Sequence, residues 1–215
     1  MPFDKKRVIL HLFTCFWAFH YFRLLPLWKI TITGREHIKN GKPYILVANH
    51  QSMMDIFISF GMFKHFKWVA KRSLFAIPFI GWNMYMNNHV GLIRGMGKSV
   101  KKMYADCNLH LTQGSSIFIF PEGTRSKDGE MGKFKKGAFK IALNNGVPII
   151  PITIDGTRDA MEKDSWVVNI AKRIHVTIDI LPKIEASEYD NDDQKMMIAA
   201  ETAIRDKLSE IRNRG

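Results

Sequence analysis

Ile45-Leu46-Val47-Ala48-Asn49-His50-Gln51-Ser52-Met53-Met54-Asp55 is an apolar run that stops abruptly at Asn-His, with an aspartate five residues after the histidine. The run reads as a buried strand delivering His50 to its carboxyl end, and the apolar-rich residues 53–63 read as the helix that follows. Position decides whether the pair can meet. Inside one continuous helix, five steps of about 100° would leave the two side chains roughly 140° apart, so a contact requires His50 to precede the helix. Placed there, it offers one imidazole nitrogen to Asp55 and keeps the other to take a proton, an oriented base. The plainer alternative makes His50 a turn residue and Asp55 a helix-entry residue favoured by the helix dipole.

Outward from this stretch, strands are expected over residues 29–34, 44–48, 67–71, 89–94, 116–120, 147–154 and 175–181, from alternation or from short apolar runs bounded by turn residues. Helices are expected over 78–86, entered through proline, 98–113, 136–144, closed by Asn145-Gly146, and 192–212. Such alternation predicts an α/β fold with a mixed, largely parallel central sheet flanked by helices on both faces. No internal repeat or low-complexity linker interrupts it.

With 215 residues, 46% of them hydrophobic, the chain has material for one domain and a short appendage. The net charge of +12 is uneven: residues 1–150 hold 22 basic and 7 acidic side chains, residues 151–215 hold 10 and 13. An anionic partner is implied, and nucleic acid, anionic lipid headgroups and phosphorylated small substrates all satisfy the charge. Cys15 and Cys107 stand far apart in no metal-ligand spacing, which excludes a disulfide scaffold and a cysteine zinc site and suits a reducing compartment.

Residues 1–28 depart from the rest. Lys5-Lys6-Arg7 precedes an aromatic-rich apolar run that carries His11, His20 and Arg23 before Pro26, too broken for the roughly 20 apolar residues a bilayer span needs. Bulky aromatics and the lack of a small-x-small site argue against a signal peptide. Residues 1–28 are therefore expected to form a membrane-associating helical segment on the cytoplasmic face, with Trp17, Tyr21 and Trp28 at headgroup depth and the basic triplet on an anionic leaflet. Residues 29–215 would form the globular domain. The alternative for the first segment is a core helix of that domain.

Gly91-Leu92-Ile93-Arg94-Gly95-Met96-Gly97-Lys98-Ser99 mimics a phosphate-binding loop, but the first glycine lies one residue too far from Gly97-Lys98-Ser99. No Gly-x-Ser-x-Gly elbow occurs, leaving Ser52, beside His50, as the nearest candidate serine nucleophile. A second informative stretch is Ile117-Phe118-Ile119-Phe120-Pro121-Glu122-Gly123-Thr124-Arg125-Ser126, a strand ending in a loop with a glycine, a hydroxyl and a guanidinium. Phosphate fits such a loop, with Arg125 as a bidentate partner and Arg94, at the end of another strand, able to reach the same crevice. A local Glu122–Arg125 ion pair in a surface turn is the plainer reading.

Together, Asn49-His50-Gln51-Ser52-Met53-Met54-Asp55, Gly91-Leu92-Ile93-Arg94, Phe120-Pro121-Glu122-Gly123-Thr124-Arg125-Ser126 and Val147-Pro148-Ile149-Ile150-Pro151-Ile152 resemble the four ordered blocks of the glycerolipid acyltransferases, and most closely the 1-acylglycerol-3-phosphate acyltransferases. The resemblance runs from about residue 34 to 158 and takes in Lys133-Phe134-Lys135-Lys136-Gly137-Ala138. Many members carry an acidic residue just before the second-block arginine; this chain has Ile93, so the chemistry is better fixed than the acceptor.

What the resemblance implies is direct transfer of an acyl group from a thioester, on coenzyme A or acyl carrier protein, to the sn-2 hydroxyl of 1-acyl-sn-glycerol-3-phosphate, giving phosphatidate in phospholipid biosynthesis. In it, His50 with Asp55 is the catalytic base, Arg94 and Arg125 grip the acceptor phosphate, Glu122 and Gly123 shape that loop, and Glu122, Gly123 and Thr124 join the two arginines as substrate-binding residues. Backbone N–H groups just after His50 would steady the oxyanion, and apolar side chains including residues 75–82 would line an acyl groove. No metal or other cofactor is implied, and the partners are membrane lipids, the lysolipid acceptor and the acyl donor, not nucleic acid. Acylation of another lysolipid, such as a lyso-aminolipid, a thioesterase or lipid hydrolase using the same His/Asp pair, and a non-catalytic basic module remain as alternatives.

Overall fold

A computed structural model describes residues 3–161 and 167–214, so residues 1 and 2 of the expected N-terminal segment and 162–166 and 215 of the domain lie outside it. Helix α1 spans Val8–Arg23, and strand β1 spans Trp28–Thr33. β2 (Ile45–Ala48), α2 (Met54–Ser59), β3 (Phe66–Lys71), α3 (Ile80–Met86) and β4 (Val90–Leu92) follow. The second half runs α4 (Gly97–Thr112), β5 (Ser116–Ile119), α5 (Gly137–Asn145), β6 (Ile149–Asp155), α6 (Thr157–Ala160), β7 (Ile174–Ile180) and α7 (Asp193–Asn213).

The seven strands form one sheet in the order β1-β7-β6-β2-β5-β3-β4, parallel at every pairing except β6 with β7. The mixed, largely parallel α/β sheet is the architecture expected. β2, β5 and β3 all point the same way, so the residues following them emerge on one side of the sheet.

Strand alternation divides the core. Leu46, Ala48, Phe118, Ile150 and Ile152 pack on one face with Cys15 and Ala18 of α1 and Met54 and Ile58 of α2. Ile45, Val47, Ile117 and Ile149 point to the other, against Met103 and Cys107 of α4, Phe139 of α5 and Ala200 and Ile204 of α7. Both faces are thus sealed, and polar chemistry is left to the strand ends.

α1 is buried along one side and exposed along the other, so its inner side follows the core-helix reading. His11, Thr14, Cys15, Ala18 and Phe22 recur at helical spacing and are buried against the domain, while Ile9, Phe13, Phe16, Trp17, Tyr21 and Leu24, in or next to the helix, stay exposed. Trp28 differs from expectation. It opens β1 opposite Ile174, is buried, and its indole N–H donates to the Asn169 carbonyl, so it belongs to the core and not to a headgroup layer. The helix expected over 53–63 ends early: α2 stops at Ser59, a 3₁₀ turn covers Phe60–Met62, and Phe63 takes a left-handed conformation. No helix among the described residues is long and apolar enough to cross a membrane.

Candidate active site

The chain leaves the sheet at Asn49, whose side chain keeps pairing with β6 after β2 has ended. Its amide donates to the Ile154 carbonyl at 2.7 Å and accepts the Ile154 N–H at 2.8 Å. This fixes where His50 departs. His50 Nδ1 meets Asp55 Oδ2 at 2.7 Å, and the aspartate is fully buried in the first turn of α2 while the imidazole keeps 13% exposure. A carboxylate only accepts, so Nδ1 carries the proton and Nε2 keeps its lone pair for a substrate. The ring lies on Phe120 with centroids 3.9 Å apart and planes inclined by 12°.

Asp55 is held from several sides. Oδ2 also accepts the backbone N–H groups of Gln51 at 2.7 Å and Ser52 at 2.9 Å, and Oδ1 accepts the Thr157 hydroxyl. Of the N–H groups at the helix entrance, those of residues 51 and 52 are thereby given to Asp55 and not to an oxyanion. Ser52 is fully buried, its hydroxyl donating to the Met161 carbonyl at 2.6 Å, so it is not placed as a nucleophile.

The loop after β5 closes over the same point. Glu122 turns inward, with one oxygen accepting the His50 N–H at 2.7 Å and the other the Gly132 N–H at 2.9 Å. Burial pushes its carboxyl up, against the pull of those two N–H groups. Both Glu122 oxygens are thus taken by main-chain N–H groups, and its side chain is not among those that line the neighbouring cavity. The Ser126 N–H returns a bond to the His50 carbonyl at 2.8 Å. Gly123 has φ +72°, a left-handed backbone that strains any residue with a Cβ, while the Lys135 ammonium group above it ends a flexible side chain that can move aside.

A cavity of about 430 Å³ opens beside these groups. His50, Arg94, Gly123, Thr124 and Arg125 line it together, as three strand ends were expected to bring them. The remaining wall is mainly apolar and includes Phe57, Leu74, Ile77, Phe79 and Ile80, overlapping the expected 75–82 stretch, with Trp17 and Ala18 of α1 opposite. Lys71, the last residue of β3, also lines it, although its place in the sequence marks it only as the end of a strand. Among the described residues no group of three or more His, Cys, Asp or Glu side chains has metal-holding geometry.

A family model described as Acyltransferase matches residues 29–155, over half of the chain. A 1-acyl-sn-glycerol-3-phosphate acyltransferase of Borreliella burgdorferi is 31% identical over 182 residues, covering 81% of this chain and 72% of that protein. The chain belongs to the 1-acyl-sn-glycerol-3-phosphate acyltransferase family. A family member from Chlamydomonas reinhardtii is 42% identical over 163 residues, covering 75% of this chain and 48% of that protein. The chain spans about half the length of the algal and plant family members it matches. The crystal structure of the family's PlsC from Thermotoga maritima superposes with a TM-score of 0.76 at 26% identity, covering 95% of this chain and 79% of that one.

Proposed function

We propose that this chain moves an acyl group from a thioester to the sn-2 hydroxyl of 1-acyl-sn-glycerol-3-phosphate, making phosphatidate. The observation that carries the reading is the convergence of an oriented imidazole and two arginines on one largely apolar cavity. His50 Nε2 takes the proton of the acceptor hydroxyl as its oxygen attacks the thioester carbonyl. The C–S bond then breaks, and the thiolate leaves with the proton returned by His50. Arg94 and Arg125 hold the acceptor phosphate, and the apolar wall takes an acyl chain. The donor is acyl-coenzyme A or acyl carrier protein, both acidic and suited to a basic chain.

Membrane association belongs to the same reading. The exposed side chains of α1 continue in Phe79, Trp82, Tyr85 and Met86 in and just before α3, on the two elements that flank the cavity. An apolar, aromatic face with a basic triplet at its amino end fits an interface of anionic lipid, from which the acceptor enters directly. Helices α1 and α3 then form the docking edge, on the cytoplasmic leaflet.

The test is product identification by mass spectrometry after incubating the protein in mixed micelles with a long-chain acyl-coenzyme A or acyl carrier protein and a panel of lysolipids. Phosphatidate is the expected product. Acylation confined to a lysolipid without a terminal phosphate, or free fatty acid formed without acceptor, overturns the proposal.

A further inference from the structure

Thr157 stands outside every motif of the site, in a four-residue helix directly after β6. It is fully buried, and its hydroxyl donates to Asp55 Oδ1, the oxygen opposite the one that meets His50. The two carboxylate oxygens are unevenly served. Oδ2 receives His50 and two backbone N–H groups, whereas Oδ1 receives the Thr157 hydroxyl. A buried carboxylate oxygen that loses its donor turns toward another, and the softer of the two side-chain torsions, rotation about the Cβ–Cγ bond, carries Oδ2 out of line with the imidazole.

The backbone places this hydroxyl with little freedom. Gly156, immediately before it, has φ +85°, and an added Cβ would stand 2.0 Å from the His175 carbonyl oxygen, so β7 packs against the turn that launches Thr157. The segment is also tied to the His50 loop at three more points: Asn49 to Ile154, Gln51 Nε2 to Asp155 Oδ1 at 3.0 Å, and Ser52 to the Met161 carbonyl. The β6–α6 junction is thus a cradle for residues 49–55.

We propose that Thr157 is a positioning residue for the reaction, its hydroxyl locking the Asp55 carboxylate in the rotamer that orients His50. The inference rests on the acyl-transfer reading for its kinetic consequence, but not for its structural one. Thr157→Val replaces the hydroxyl by a methyl at equal size, and Thr157→Ser keeps the hydroxyl. For Thr157→Val, kcat falls about ten- to a hundredfold with both KM values within about twofold, and Thr157→Ser restores most of it.

The deciding readout is the 15N-imidazole spectrum of His50 across pH. In the wild type and Thr157→Ser, the neutral ring shows a single Nδ1–H tautomer; in Thr157→Val the tautomers mix and the titration midpoint moves. A Thr157→Val protein with the wild-type tautomer, midpoint and kcat overturns the proposal, as does a Thr157→Ser protein as impaired as Thr157→Val, which would make the role one of packing. If the valine variant does not fold, Thr157→Cys, with its weak donor, takes its place against Thr157→Ser under the same criteria. A wild type that makes no phosphatidate defeats the proposed function, while the imidazole titration still decides Thr157.

Discussion

Glu122 accepts the backbone N–H of His50 at 2.7 Å while its other oxygen accepts that of Gly132 at 2.9 Å, so the second motif fixes the main chain of the first. One carboxylate serves two buried donors. Glu122→Gln presents an NH₂ to one of them, and the lost acceptor costs about 1–3 kcal/mol of stability. Loss of kcat accompanies it, because the base is carried on that main chain. A thermal melt and a kcat within error of wild type for Glu122→Gln would contradict this coupling.

The arginines are expected to act on binding. Arg94→Ala or Arg125→Ala raises the acceptor KM by about ten- to a hundredfold, the loss of a charge-assisted bond, with a smaller change in kcat and an unchanged fold. Lys71, which shares the cavity, is expected to behave in the same way. Steady-state kinetics at varied lysophosphatidate separates the cases. A variant that loses kcat alone would remove its cation from the phosphate site.

The apolar wall is expected to set acyl length. Ala18 faces the cavity from α1 and Ala70 from β3, and replacing either by phenylalanine takes up space otherwise open to a chain. The ratio of kcat/KM for long over short acyl donors then falls. An unchanged ratio in both variants would place the acyl chain elsewhere.

Docking of α1 depends on neutral histidines. His11 packs 5.3 Å from His65 and 5.9 Å from His89, ring centre to ring centre. Close by, buried Lys67 donates to the carbonyls of Lys6 at 2.8 Å and Asn87 at 2.7 Å. Burial, then the neighbouring cations, pushes His11 and His89 well below 6.5 and His65 to about 4; His110 is lowered by the same causes, and Asp4 works the other way on His65. The unfolded chain, with histidines near 6.5, takes up protons first as pH falls, so stability is complete above about pH 6.5 and is lost from there towards pH 4. Melts across this range should show a falling Tm, and His11→Phe, which removes one proton acceptor, should flatten the slope. An equal slope in that variant would contradict the assignment.

Much of this was legible in the chain, and for identifiable reasons. Alternating or unbroken apolar strands punctuated by Asn-His, Pro-Glu-Gly or Asn-Gly declare themselves locally, and a parallel sheet gathers their carboxyl ends. Trp28 misled because an indole beside Leu27 and Pro26 looks the same before a strand as at a lipid surface; only its pairing partner, Ile174, tells them apart. Lys71 reached the cavity because β3 lies beside β5, and sheet order is not written in local pattern. Thr157 lay further out of reach. Its helix is too short for a period, and its bond joins residues 102 positions apart.

The central claim is acceptor-dependent transfer through His50, and its most direct test is thiol release from a long-chain acyl-coenzyme A with and without lysophosphatidate, with His50→Ala alongside. The protein's own thiols stay silent in the native state, since burial of Cys15 and Cys107 pushes both up to about 12. The account predicts release only when acceptor and His50 are both present, with His50→Ala reduced by at least about a hundredfold. Equal release without acceptor, or a fully active His50→Ala, would contradict it.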